Sequence, residues 1–161
     1  FKMVEAKKVG VLIACFAVFI LLSASTGGIG WMTTGTSEKG ANYGLFSGCS
    51  TNSCFSYGSN IPGPENKWRA TQGFMVLSVL VSLGATICGI ILMISDKVQP
   101  KIIAILLVIA FVLATISLAI FTDIKEEYYK KMDYGWAYGF GWVGALAGLG
   151  VGVVVFLTKR S

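Results

Sequence analysis

The chain has 161 residues, of which 55% are hydrophobic and 13% are charged, with a net charge of +5 and no histidine. A soluble domain usually carries about 25% charged residues, so this composition leaves too little polar sequence to cover a water-soluble core. The absence of histidine removes the side chain most often used for acid–base catalysis at neutral pH.

Four apolar stretches follow one another along the chain, at about residues 9–29, 74–94, 102–121 and 134–157. About 20 apolar residues in a helix cross the ~30 Å hydrocarbon layer of a bilayer. The sequence therefore predicts one tetraspan membrane domain over residues 1–161, with outer loops at about 30–68 and 122–133. The first span follows Lys7 and Lys8 and ends in small residues, as signal peptides do, and we expect it to be an uncleaved signal anchor.

The charges divide between the two sides of the membrane. Four spans place both termini on one side, which has seven basic and two acidic residues, a balance of +5, while the other side has six of each. Basic residues in short segments beside helix ends are typical of the cytoplasmic side. We expect a plasma-membrane protein with cytoplasmic N- and C-termini. The pI of 9.1 then reflects membrane topology, and no basic stripe interleaved with aromatics indicates nucleic-acid binding.

The long loop after Trp31 is the only large polar segment, and it contains Cys49 and Cys54. Two cysteines this close in an outward-facing loop predict a disulfide, which would constrain the unfolded chain by about 2 kcal/mol. Two free thiols are the alternative. A metal site is less favoured, because the chain has no histidine and no further loop cysteine. Cys15 and Cys88 lie inside spans one and two, where we expect them to pack as small residues; palmitoylation of Cys88, near the inner end of its helix, is the alternative.

The order of residues in this loop resembles that of a known family. Trp31, then Gly44-Leu45-Phe46, then Cys49 and Cys54 resemble the signature of the tetraspan superfamily of claudins, peripheral myelin protein and epithelial membrane proteins. That signature has a Trp, a Gly-Leu-Trp triplet and two disulfide-bonded cysteines, so Phe46 replaces the last residue of the triplet. Residues 70–78, 133–143 and 157–160 are similar to the myelin and epithelial branch, and the resemblance covers nearly the whole chain.

The resemblance implies a fold and a role for the signature residues. The fold is a left-handed four-helix bundle capped by a small extracellular β-sheet, built from the first loop with one strand from the second. Trp31 and the triplet would anchor this sheet at the outer membrane surface, and the disulfide would join two adjacent strands. We expect Trp68, at the mouth of span two, to be a simple interfacial anchor. Tetraspanins and gap-junction proteins fit less well, because their outer-loop cysteines are placed differently.

Span four has Gly144, Gly148 and Gly152 at four-residue intervals, and so on one helix face. Small residues at this spacing allow helices to approach closely in lipid. Packing within the bundle is the simpler interpretation, and a docking face for another membrane protein or a second copy is the alternative. No span has an ionisable residue at its centre, which argues against a transporter or pump.

No feature of the sequence predicts an enzyme, a cofactor or a catalytic metal. Nucleotide-binding, hydrolase and metalloprotease motifs are absent. Glu126 and Glu127 are adjacent carboxylates, but Lys125, Lys130 and Lys131 lie beside them, which predicts a solvated charge cluster.

We therefore predict a non-enzymatic tetraspan protein that acts in cell adhesion, junctions or membrane organisation. Its outer loop would contact a neighbour through residues 37–42 and 55–64, with Phe55 and Ile61 as apolar anchors. The alternative is an accessory subunit of an ion channel or receptor, bound through transmembrane helices and the first outer loop. A paracellular pore is a third hypothesis, although the mixed charges of Glu38, Lys39 and Glu65 favour no ion. The expected partners are thus the lipid bilayer and another membrane protein: a second copy, a junction protein, or a channel or receptor.

Overall fold

The computed structural model describes residues 2–34, 41–50, 53–57 and 64–158. This part of the chain forms four long helices and five short strands. In chain order they are α1 (Lys2–Gly27), β1 (Met32–Thr33), β2 (Asn42–Tyr43), β3 (Ser47–Cys49), β4 (Cys54–Ser56), α2 (Glu65–Ile94), α3 (Pro100–Tyr128), β5 (Asp133–Tyr134) and α4 (Trp136–Thr158). Each helix is long and apolar enough to cross a membrane, so the predicted four-helix fold with a small sheet is confirmed.

Two helices extend well beyond their apolar spans on the side of the sheet. Helix α2 begins at Glu65 rather than near residue 74, and α3 continues to Tyr128 rather than ending near residue 121. Lys67 joins these polar turns by ion pairs of 2.7 Å to Asp123 and 3.2 Å to Glu127. The non-helical connections on the side of the sheet are therefore shorter than residues 30–68 and 122–133, because hydropathy marks the apolar part of a helix and not its end.

Each helix packs against two others: α1 and α3 both contact α2 and α4. Buried hydroxyl groups donate to main-chain carbonyls across one of these contacts, from Ser78 to Ala110 at 2.9 Å and from Ser117 to Thr71 at 2.8 Å. A polar group in hydrocarbon is costly unless it is hydrogen-bonded, and these pairs join α2 to α3.

The three spaced glycines of α4 lie inside the bundle. A Cβ atom on Gly144 would lie 3.1–3.2 Å from the side chains of Leu22 and Leu21, and one on Gly152 would lie 3.2 Å from the carbonyl oxygen of Ala104. Gly148 faces Val18 at 3.5 Å. The structure thus places these glycines where α4 approaches α1 and α3, and Gly152 also lines an apolar groove between α3 and α4.

The five strands form one antiparallel sheet in the order β4-β3-β2-β1-β5, so the second outer loop supplies one edge strand, as expected. Cys49 and Cys54 are direct partners on β3 and β4 and form the predicted disulfide.

Strand alternation separates the side chains of the sheet onto two faces. One face carries, in order, Phe55, Gly48, Tyr43, Met32 and Tyr134. The other carries Cys54, Cys49, Asn42, Thr33 and Asp133. Met32 is buried in the core, whereas Asn42 and Asp133 are exposed. The first face therefore lies against the helices and the second faces away from them.

Close packing of α4 is testable at Gly144. We expect Gly144→Val to lower the free energy of unfolding by about 1–3 kcal/mol, since its added carbons overpack the contact with α1. Gly139→Val on the same helix is the matched control, because a Cβ at Gly139 meets nothing within 4 Å. Unfolding in detergent measures both variants, and equal stabilities would contradict the packing role.

Candidate functional site at the outer sheet

Trp31 joins the end of α1 to the sheet. The last carbonyl groups of a helix have no partner within it, and the Trp31 indole N–H donates to one of them, on Ser25, at 2.6 Å. The main chain of Trp31 donates to Tyr43 at 2.9 Å and accepts from Gly135 at 3.0 Å. Its side chain is fully buried. Trp31 therefore fastens the sheet to the helices through a fully buried indole, and its predicted position at the outer membrane surface stays a prediction.

Two glycines allow separate segments of the main chain to come into close contact near Trp31. A Cβ on Gly44 would collide with the carbonyl oxygen of Gly28, and one on Gly135 would collide with that of Gly30. Glycine permits such close approach. The first residue of the Gly44-Leu45-Phe46 triplet thus allows β2 to lie against the exit of α1.

Leu45, the second residue of the triplet, is held by the mouth of α2. Its side chain is fully buried, and its carbonyl oxygen accepts from Trp68 Nε1 at 2.9 Å and from Gln72 Nε2 at 2.7 Å. Trp68 is also fully buried. The expectation that Trp68 is an interfacial anchor is wrong, because the Leu45 turn covers the indole and supplies the acceptor that an interface would otherwise provide.

A row of aromatic rings continues from the sheet into the bundle. Tyr57 contacts Trp68 with ring centroids 5.9 Å apart, Trp68 contacts Phe121 at 5.8 Å, and Phe121 contacts Trp31 at 4.8 Å. The Tyr57 hydroxyl donates to the carbonyl of Gly44 at 3.0 Å. Burial raises the pKa of Tyr57 above its usual value, so the hydroxyl keeps its proton at neutral pH and remains a donor.

Sequence reasoning missed Tyr57 and Phe121. Tyr57 is a single aromatic in a polar loop, and Phe121 is the last residue of an apolar span, so neither position carries a spacing signal. The sequence offers one indication of their burial. The loop contains few apolar residues, so its aromatic side chains must be buried against another part of the protein.

Strand β4 forms the exposed edge of this sheet. All three of its residues are exposed, including Phe55, whose side chain is 44% accessible. Phe46, the third residue of the triplet, is similarly exposed. Of the predicted contact segments, residues 37–40 and 58–63, with Glu38, Lys39 and Ile61, lie outside the described residues.

The predicted charge cluster is only partly solvated. Glu126 and Glu127 are exposed, but Lys125 is 5% accessible and lies with Nζ 4.2 Å from the centre of the Tyr134 ring. The Tyr134 hydroxyl donates to Glu126 at 3.1 Å. The expectation of a solvated cluster is therefore wrong for Lys125, because the side chain is buried with its ammonium group over the ring of Tyr134 in β5.

The regions of similarity to known proteins cover almost the whole chain. The family model described as PMP-22/EMP/MP20/Claudin matches residues 7–155. The lens fiber membrane intrinsic proteins of Rattus norvegicus, Mus musculus and Homo sapiens are each 26% identical to the chain in an alignment 160 residues long that covers 94% of this chain and 90% of theirs. The matched segment includes the sheet and nearly all of the four helices.

We expect loss of the Trp31 indole to lower the free energy of unfolding more than loss of the Trp68 indole. Trp31→Phe leaves the buried Ser25 carbonyl without that donor, and we expect a loss of about 1–3 kcal/mol in the free energy of unfolding. Trp68→Phe leaves the Leu45 carbonyl still bonded to Gln72, and we expect a smaller loss, near the ~1 kcal/mol of one net hydrogen bond. Unfolding of both variants in the same detergent measures the difference, and a larger effect at Trp68 would contradict this assignment.

Proposed function

We propose, on the premise that this chain belongs to the PMP-22/EMP/MP20/Claudin family, that it acts in adhesion or membrane organisation through lateral contacts of its outer sheet. The chain is a multi-pass membrane protein of a family of structural membrane proteins rather than enzymes. Its specific role depends on which surface of the protein makes contact and on which partner that surface meets.

The proposed orientation places the sheet outside the cell and both termini in the cytoplasm of a plasma-membrane protein. Disulfides such as Cys49–Cys54 persist in oxidising compartments, which supports an exoplasmic sheet. At the opposite end of the bundle lie Lys7, Lys8, Lys97 and Lys101, as expected of the cytoplasmic side.

The observation that carries the proposal is the free edge of β4. In the described part of the chain, β4 ends the strand order, so its outer main-chain groups pair with no other strand. Such an edge is a template for a strand from another molecule. The disulfide holds β4 to β3, so little ordering is needed before a partner binds.

The position of Phe55 indicates a neighbour in the same membrane. Phe55 belongs to the row of side chains that includes buried Met32 and half-buried Tyr43, on the face of the sheet that lies against the helices. Its ring lies over Gly48 and contacts Tyr43 and Tyr57, and the part that stays exposed is available to a neighbour on that face of the sheet. We propose that the neighbour is a second copy, because two β4 edges can pair antiparallel about a two-fold axis.

An accessory role for an ion channel or receptor is the second candidate function. An apolar groove of about 370 Å³ lies between α3 and α4, lined by residues such as Ile105, Val108 and Phe156. A transmembrane helix of a partner protein would fit such a groove by packing alone.

Substitution of Phe55 tests the lateral contact. We expect Phe55→Ser to reduce proximity between two differently tagged copies in one cell membrane by severalfold, while surface delivery stays unchanged. Tyr128→Ser is the matched control, because Tyr128 is an exposed aromatic on the same side of the membrane but outside the sheet. Energy transfer between the tags measures proximity, and surface labelling measures delivery.

The same cells distinguish the two candidate functions. Unchanged proximity for Phe55→Ser would contradict the β4 contact. Stoichiometric co-purification of the wild-type chain with a channel or receptor, in place of a second copy, would support the accessory role.

A further inference from the structure

A cavity of about 720 Å³ lies at the end of the bundle remote from the sheet, mainly between α1 and α4. Its walls are apolar and include Val11, Ala14, Ala147 and Val151, while Lys7 and Lys8 line its rim. The volume is within the range of roughly 300–1,000 Å³ typical of ligand sites. Neither the outer contact surface nor the proposed function uses this cavity.

The cavity exists because α1 and α4 pack closely only toward the sheet. A Cβ on Gly144 would lie 3.1 Å from Leu22, and one on Gly148 would lie 3.5 Å from Val18. Further along, a Cβ on Gly150 or on Gly10 would meet nothing within 4 Å. Small residues on both helices thus leave open space between α1 and α4 at this end of the bundle.

The rim of the cavity is positively charged. Lys8 pairs with Asp96 in the turn between α2 and α3, which offsets its charge. Lys7 is exposed and makes no ion pair within the described residues, and Lys97 and Lys101 lie at the same end of the bundle. Asp96 is the one acid whose side chain is described at this end, so the excess of positive charge remains.

We propose that this cavity binds a phospholipid with an anionic headgroup, taken from the leaflet on the side of the termini. An acyl chain would fill the apolar walls, where water would find too few polar partners. Lys7 would hold the headgroup, because basic pockets between transmembrane helices bind anionic lipid headgroups. A sterol would fill the walls equally well but would not use the charge at the rim.

The test uses the purified full chain in a nonionic detergent, titrated with dioleoyl phosphatidylserine or dioleoyl phosphatidylcholine. Native mass spectrometry counts retained lipid, and thermal unfolding measures the stabilisation that binding confers. Lys7→Gln tests the headgroup contact, with Lys97→Gln as the control for general surface charge. Gly150→Leu fills the cavity, with Gly84→Leu as the control, since a Cβ at Gly84 also meets nothing within 4 Å.

We expect phosphatidylserine to raise the Tm of the wild-type chain and phosphatidylcholine to do so less. Lys7→Gln should weaken phosphatidylserine binding about fivefold, and Gly150→Leu should abolish the retained lipid without lowering the Tm of the lipid-free chain. Equal binding of the two lipids, an equal loss in Lys97→Gln, or unchanged retention in Gly150→Leu would each overturn the proposal. Displacement of phosphatidylserine by cholesterol at equal concentration would assign the cavity to a sterol and would also overturn it.

Discussion

The five-stranded sheet depends on two buried indole N–H groups that donate to main-chain carbonyls. Trp31 bonds to the last turn of α1, and Trp68 bonds to the turn that follows β2. The strands are two or three residues long, and so small a sheet is not stable alone. The contacts with the helix ends therefore stabilise the sheet, and these two hydrogen bonds are joined there by those of Gln72 and Tyr57.

The end of the bundle at the sheet and the opposite end differ in how closely their helices pack. At the sheet, aromatic rings and closely approaching main chains fill the space between α1, α2, α3 and α4. At the other end, α1 and α4 separate, and lysines surround an apolar cavity. We propose that one end presents the β4 edge to a protein neighbour and that the other binds lipid through its apolar cavity and basic rim. This division follows the charge asymmetry of the chain, since basic residues in excess lie only at the open end.

Much of this fold could be predicted because lipid imposes simple rules on sequence. Long apolar spans must be helices, and closely spaced cysteines in an outer loop predicted the disulfide that the structure contains. The polar outer turns of α2 and α3, and the burial of Trp68, Phe121 and Lys125, were not predictable in this way. They depend on which loop segment lies over which helix end, and that information is tertiary.

Native-state hydrogen exchange of the full chain, in detergent or a lipid disc, is the most direct test that sheet and bundle form one unit. The amides of Trp31, Gly44 and Tyr57 are hydrogen-bonded within the sheet region. We predict that they exchange only through the same global unfolding as amides in the middle of α2 and α3. Exchange of the sheet amides through a separate opening of much lower free energy, with the helices still protected, would contradict the account.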